Sequence, residues 1–537
     1  MTNKSFFFLF FLALGIATLF QSCANIHALN GGEKDVYPPK DSIYSPLNFG
    51  INFKDNAFSI KFDEYIKLND INNQLIVSPP LKHKPKVTVK KKTVYITFED
   101  TLIPNTTYIF NFGEGIVDYT EGNAAENLSY VFSTGSELDS LSIKGKCVDA
   151  FTNQPLDGIK VMLYQQDVDS LPLTTKPFYF AVTNKAGEFS VPYMKPGDYK
   201  VFGLQDDNGN YLYEEEEKMG FLPELISASE TDSTQQSATI SMSIAEPSIQ
   251  TIVDQKSDST GFVSLKFTKK PKALSFEVLD LRNPQILTES TSDSSYFWIK
   301  SSDEKDKIFK LVVKDEEEIL DTLYLLYFPK EKTKIDWIPQ KSSTAIAADS
   351  SFVIETYHTY INSLDKSKFI LKQDSLEIPV TPILSKSSNR KLEIQGNFEE
   401  GKKYELMLLP EAVFTLNDIK NDTVKYQFRT NTNSIYGSIK IMLNIPDSTT
   451  NHYFAQLTNK NNDIFYQRKL TNNTIYIPRL EAKKYTLRLI KDANNNQQWD
   501  PGNYSQKTQP EKCIYFPETI QVKPNWVLEY EWEITFD

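Results

Sequence analysis

From about residue 42 to 135 apolar and polar residues alternate with a period of two. Phe58, Ile60 and Phe62 alternate with Ser59, Lys61 and Asp63. Val87 and Val89, then Val94, Ile96 and Phe98, then Tyr108, Phe110 and Phe112, then Tyr130 and Phe132 continue the pattern. Pro79-Pro80, Pro85, Asp100 and Pro104-Asn105 interrupt it. Side chains of a strand point alternately to opposite faces, so each run offers one apolar face. Short runs with turn residues between them predict antiparallel sheets packed in two layers. The runs FVSLKF, LSFEVLDL, SYFWIK and KIFKLVV extend the pattern between residues 259 and 328. The expected fold class is all-β, a series of β-sandwich domains.

A chain of 537 residues exceeds one hydrophobic core and implies roughly three to five domains. Its 28 Tyr and 35 Phe against 20 Gly favour half-buried pleated surfaces. The formal net charge of -12, with no basic stripe, argues against a nucleic-acid partner. His27, His83, His358 and His452 lack metal-ligand spacing, which disfavours a His-based metal site or catalytic arrangement. Three cysteines, Cys23, Cys147 and Cys513, are too few for a disulfide-stapled scaffold. Cys147 and Cys513 read as small apolar side chains.

The N-terminus has export features. Lys4 precedes the apolar run Phe6 to Phe20, and Gln21-Ser22-Cys23 follows. The run falls short of the about 20 residues of a membrane span and fits a signal-peptide core. Cys23 after a small Ser resembles the lipobox of bacterial lipoproteins, with Phe20 and Gln21 departing from its usual Leu and small residue. The resemblance implies a lipoprotein signal peptide over 1–22, lipidation of Cys23, and a membrane attachment through the acyl chains. A plain cleaved signal is the alternative. Residues 23–41 are polar and punctuated by Gly and Pro, as in an extended tether.

Within 42–136, Phe62-Asp63-Glu64, Pro104, Thr106, Thr107, Tyr108, Asp118, Gly122-Asn123 and Phe132-Ser133-Thr134 resemble the bacterial Ig-like domain of the S-layer (SbsA) type. Within 140–226, IKGKCVDAFTNQPLDGIKVMLY and TNKAGEFSVPYMKPGDYKVFGL are similar to the carboxypeptidase regulatory-like, or transthyretin-like, β-sandwich. Neither family brings catalysis of its own. Residues 227–250, around SASETDSTQQSA, read as a linker or long exposed loop. Residues 251–335 are expected to form a third sandwich of unassigned family. In 341–432 the first pattern recurs: Tyr404 takes the place of Tyr108, and Phe428-Arg429-Thr430 that of Phe132-Ser133-Thr134. Lys420-Asn421-Asp422 stands near the place of the Gly-Asn turn. In 434–537 the second pattern recurs, Tyr485 to Tyr504 aligning without gaps with Tyr199 to Lys218. Such an internal repeat points to modular duplication.

That repeated loop is the strongest candidate site. Asp206, Asn208, Asn210 and Glu214, with Glu217, and Asp492, Asn494, Asn496 and Asp500 place oxygen-bearing side chains at alternate positions. This spacing resembles an EF-hand-like calcium loop, a hard-cation site built from oxygens. Tyr211 and Gln497 replace its turn-forming Gly, and Asn503 replaces the final acid of the second copy. The alternative is a polar hairpin closed by Asx-turns. Adjacent acids such as Asp63 and Glu64 point to opposite strand faces and do not make a catalytic pair. No nucleophile elbow, phosphate loop or zinc-protease helix is present. Trp298, Trp337, Trp499, Trp526 and Trp532 are candidates for sugar stacking or for the core. Asp139-Ser140-Leu141, Asp321-Thr322-Leu323 and Asp374-Ser375-Leu376 resemble O-glycosylation acceptors of Bacteroidota secreted proteins, or are turn residues.

These features lead to a non-catalytic cell-envelope lipoprotein, a spacer and interaction scaffold. The resemblances imply a Bacteroidota-type protein at the outer membrane, facing the periplasm or the exterior, with an envelope protein or a glycan as partner. A glycan-binding surface lipoprotein is the second expectation. An enzyme centred on Ser259 to Phe328 is the third.

Overall fold

The computed structural model describes residues 35–229, 237–258, 261–291, 294–328, 334–339, 344–445 and 452–535. The expected signal peptide and Cys23 lie outside the described residues. The chain is all-β and falls into two compact units, Met1–Ser140 with Tyr193–Lys195, and Leu141–Pro192 with Pro196–Asp537.

The first unit is a two-layer sandwich. One sheet orders the strands Asp41–Ser45, Ala57–Phe62, Thr93–Thr97 and Lys86–Lys90, and the other Ile76–Ser78, Thr107–Asn111 and Ser129–Ser133. Ile66–Leu68 and Ile116–Asp118 pair separately. The period-two residues turn inward as expected: Phe58, Ile60, Phe62, Val94 and Ile96 meet Tyr108, Phe110, Tyr130 and Phe132 in one core. Phe58 stacks on Tyr130 with ring centres 3.8 Å apart, and Phe53 on Phe132 at 3.9 Å. Each buried large apolar side chain contributes about 1.5–3 kcal/mol. Two polar fixtures set the corner. The Tyr108 hydroxyl accepts the Ile103 N–H (2.9 Å), and Thr134 Oγ1 accepts the Thr106 N–H (3.0 Å) while donating to the Ile103 carbonyl (2.7 Å).

Residues 345–430 of the second unit repeat this plan. Phe352–Glu355, Lys391–Gln395 and Thr381–Leu384 form one sheet. Ala345–Ile346, Val424–Thr430, Lys403–Leu408, Phe369–Gln373 and Leu376–Ile378 form the other. Ile361–Leu364 and Val413–Thr415 pair separately. The corner recurs atom for atom: the Tyr404 hydroxyl accepts the Glu399 N–H (2.6 Å), and Thr430 Oγ1 accepts from Lys402 N (3.0 Å) and donates to the Glu399 carbonyl. Phe352 stacks on Phe428 at 4.1 Å, as Phe53 does on Phe132.

The second sequence repeat is equally plain in the topology. In one copy, Leu141–Asp149 lies between Glu188–Met194 and Ser237–Met242; in the other, Tyr436–Asn444 lies between Thr474–Glu481 and Val527–Glu533. Each first strand runs parallel to the last strand of its copy. The facing sheets are also alike, centred on Gly197–Leu204 and Lys484–Lys491. Glycine is required once in each first strand: a Cβ on Gly145 would collide with the Ala238 carbonyl, and one on Gly437 with the Lys523 carbonyl.

The stretch 227–250, expected as a linker, carries strands instead. Ile226–Ala228 pairs with Gly197–Tyr199, and Ser237–Met242 with Lys144–Asp149. Ile226, Ala228, Ala238, Ile240 and Met242 are buried. Their period-two spacing is masked in the sequence by the Ser and Thr between them. Between these repeats, residues 252–327 form a sandwich of a four-stranded and a three-stranded sheet with its own core around Leu265, Phe297, Phe309 and Leu311.

Candidate functional site

The two oxygen-rich loops each follow the central strand of a facing sheet, Gly197–Leu204 or Lys484–Lys491, and are built alike. Asp206 Oδ1 accepts from the N–H of Gly209 (2.8 Å) and Asn210 (3.2 Å), and Oδ2 from Tyr211 (3.1 Å). Asp492, fully buried, accepts from Asn496 N (2.9 Å) and Gln497 N (3.0 Å). Tyr211 and Gln497 adopt φ of 64° and 58°. The left-handed turn that favours glycine is thus made by the residues standing in its place. The amides of Asn208 and Asn210 donate to Glu214, and those of Asn494 and Asn496 to Asp500.

Sequence reasoning missed one member, Glu511. Glu217 closes the first loop by accepting the N–H of Asp207 (3.2 Å) and of Glu214 (3.0 Å). In the second loop Glu511 does this, accepting from Ala493 (2.7 Å) and Asp500 (3.2 Å). Asn503, expected at this place, caps a different turn and accepts the Gln506 N–H. Burial, reinforced by the neighbouring carboxylates, raises the pKa of Glu217 and of Glu511 above the ordinary carboxylate value despite these hydrogen bonds. The first loop also has a cation, Lys160 Nζ at 2.5 Å from Asp206 Oδ2. Among the described residues no three Asp, Glu, His or Cys side chains converge as a metal-holding group. The hydrogen bonds themselves hold both loops in shape, as Asx-turns do.

The segment that displaces Glu511 along the chain has its own role. It carries Tyr504 into the second module, where the ring lies 5.1 Å from Phe202 and 5.2 Å from Phe221 and is almost fully buried. The Tyr504 hydroxyl donates to the Asp169 carbonyl (3.0 Å), and Lys507 pairs with the Asp169 carboxylate (2.8 Å). Gly502 N donates to Ser243 Oγ, and Gln509 Nε2 to the Phe221 carbonyl (3.0 Å each). On the other flank Asn153 Nδ2 donates to the Cys513 carbonyl (2.6 Å), Phe151 packs edge-on to Trp499 (4.9 Å), and buried Arg488 lies 4.4 Å over the Phe151 ring. The two related modules are therefore clasped together.

The remaining candidates divide between the core and the surface. Trp298 is buried and donates to the His358 carbonyl (2.6 Å), joining the third and fourth modules. Trp532 is buried against Phe516, Trp337 packs edge-on to Tyr426, and Trp499 donates to the Glu511 carbonyl (2.7 Å). Trp526 alone among them is exposed, at 58%. Asp63 Oδ1 accepts the Lys40 N–H (2.9 Å), which ties down an edge strand. Asp139 Oδ2 accepts the Thr107 N–H (3.0 Å). Asp374 and Ser375 form an exposed two-residue hairpin turn with φ of 46° and 78°.

No curated protein matches the chain. Among solved structures, the major pilin subunit BcpA of Bacillus cereus is similar at 10% identity over 73% of this chain and 98% of that one, with a TM-score of 0.14. Domains 1-6 of the surface layer protein SbsC share 13% identity over 90% of this chain and 67% of that one, with a TM-score of 0.14. The Bacteroides ovatus mixed-linkage glucan utilization locus protein SGBP-B, in complex with a mixed-linkage heptasaccharide, shares 9% identity over 70% and 93%, with a TM-score of 0.20. Residues 35–134 match the family described as Bacterial Ig-like domain. An Ig-like domain of bacterial type therefore stands at the head of this all-β chain.

Proposed function

We propose that the protein is a non-catalytic lipoprotein of the cell envelope, anchored through Cys23 at the outer membrane and serving as a spacer and interaction scaffold. The observation that carries this reading is the clasp between the two regulatory-like modules. Asn153 and Cys513, hydrogen-bonded at 2.6 Å, are 360 residues apart in sequence, so the modules are held by contacts that serve rigidity. The Trp298 junction does the same for the third and fourth modules. Asp63 and Glu217 accept backbone N–H groups, and among the described residues no helix is long and apolar enough to cross a membrane.

Metabolic labelling of cells with a radioactive fatty acid tests the anchor. Label is expected in the natural chain and absent from Cys23→Ala; equal labelling of both would overturn it. Cross-linking and pull-down of the anchored protein should recover an envelope partner, and a panel of hydrolase substrates should stay unturned. The paired loops serve as stiffeners. Calcium titration followed by thermal melting, with Asp492→Asn as control, tests whether a cation adds to their hydrogen bonds.

A further inference from the structure

The module of residues 345–430 carries on the solvent face of its five-stranded sheet a cavity of about 570 Å³. Alternation along the three central strands fixes its chemistry. Tyr404, Leu406, Tyr426 and Phe428 turn into the core, while Lys403, Glu405, Gln427 and Arg429 turn outward. Lys403 stands directly opposite Arg429, and Glu405 stands between Lys372 and Gln427.

Two like charges facing each other across neighbouring strands are destabilising. Lys403, Arg429 and Lys372 make no ion pair with any described carboxylate. Of the two acids in the cavity, Asp374 is taken by Lys402 (3.6 Å), and Glu405 accepts from Gln427 Nε2 (3.4 Å). Lys403 and Arg429 therefore face each other without an ion pair on this surface, while Lys372 is flanked across the ladder by Glu377 and Glu405. Elsewhere the same chain matches its strand lysines: Lys440 faces Glu529 across the ladder and pairs with it at 3.2 Å.

We propose that this cavity binds an acidic saccharide. Arg429 and Lys403 take a carboxylate or sulfate group, the arginine through its fork of donors. Glu405 and Gln427 accept and donate to ring hydroxyls. The volume falls within the about 300–1,000 Å³ of small-molecule sites. Tyr404 and Phe428 of the lining are buried in the core, which leaves polar and charged side chains outward and no large exposed apolar side chain to anchor an acidic peptide. The cavity floor is a paired strand ladder, which presents no nest of free backbone N–H groups for a bare phosphate. The inference goes beyond the scaffold reading and does not depend on anchoring.

Isothermal titration of the full-length chain with trigalacturonate and with a sulfated trisaccharide separates the two anion sources. At least one should bind, more weakly as salt rises. Lys403→Gln and Arg429→Gln should each weaken binding about tenfold, the loss of one charge-assisted hydrogen bond, while the melting temperature holds or rises as the like-charge contact is relieved. The neutral trisaccharide should not bind. No heat with either acidic sugar, undiminished binding by the double variant, or equal competition by polyglutamate or inorganic phosphate would each overturn the proposal.

Discussion

Cys147 and Cys513 are free and buried but stand at unrelated places in the two clasped modules, Cys147 on the first strand Leu141–Asp149 and Cys513 on the strand Cys513–Tyr515 of a facing sheet. Burial pushes both thiols up to about 12. The thiolate is the reactive form, so Ellman's reagent at pH 8 should leave both unlabelled in the native protein and modify both in denaturant. Rapid native labelling of either would show that its module opens. Glu511 makes a pH prediction. Its raised folded pKa means that the folded state gains a proton before the unfolded one does, so its contribution to stability rises as pH falls through that pKa and levels off below the unfolded value. The Gln variant does not titrate. Wild type should therefore gain in melting temperature relative to Glu511→Gln between pH 7 and about 4.5. Glu511 was illegible in the sequence for a physical reason. Its counterpart follows Glu214 by 3 residues, whereas Glu511 follows Asp500 by 11. Only the shared pair of backbone donors identifies it. Tyr108 and Tyr404, by contrast, were legible as equivalents from the recurring strand pattern around them, and both hydroxyls serve the N–H of the residue five places earlier.

At the scale of elements, alternation revealed most strands, since each sandwich has one wet and one dry face. It failed at Ser237–Met242, where Ser and Thr between small or β-branched residues gave the stretch the polarity of a linker. The insertion bearing Tyr504 was also opaque, because an aromatic in a polar loop does not announce which module it will enter. Tyr504→Ala should cost about 3–5 kcal/mol, the range for emptying a large aromatic site. Thermal melts should then show the two modules unfolding in separate steps. Gly145→Ala and Gly437→Ala should each destabilise their own copy by about 1–3 kcal/mol or more, since the obstacle is backbone that yields only by separating strands. A native-like melt of either variant would refute the crowding.

For the whole molecule, the sequence displayed the duplicated parts and their order but not that the second and last modules join. Complementarity between surfaces so distant in sequence leaves no local signature. A protease site engineered between Ala245 and Gln250 supplies the test. After cleavage the two fragments should co-elute in size-exclusion chromatography, and Tyr504→Ala should release them. The candidate chemistry was legible in part: the loops were visible as oxygen-rich repeats, whereas the basic cavity arises only from the register that sets Lys403 beside Arg429.

The parallel pairing of first and last strands in each of the two clasped modules bears on traction. Leu141 begins one strand at one end of the ladder, and Met242 finishes its partner at the other. Tension applied through these points loads the hydrogen bonds broadside and simultaneously, so they must slip together and cannot be peeled off one by one. The C-terminal copy shares this arrangement between Ser438–Asn444 and Val527–Glu533. In an optical trap, both modules should yield abruptly and at higher force than the sandwich of residues 252–327, and a gradual, low-force extension would show that the load travels another way.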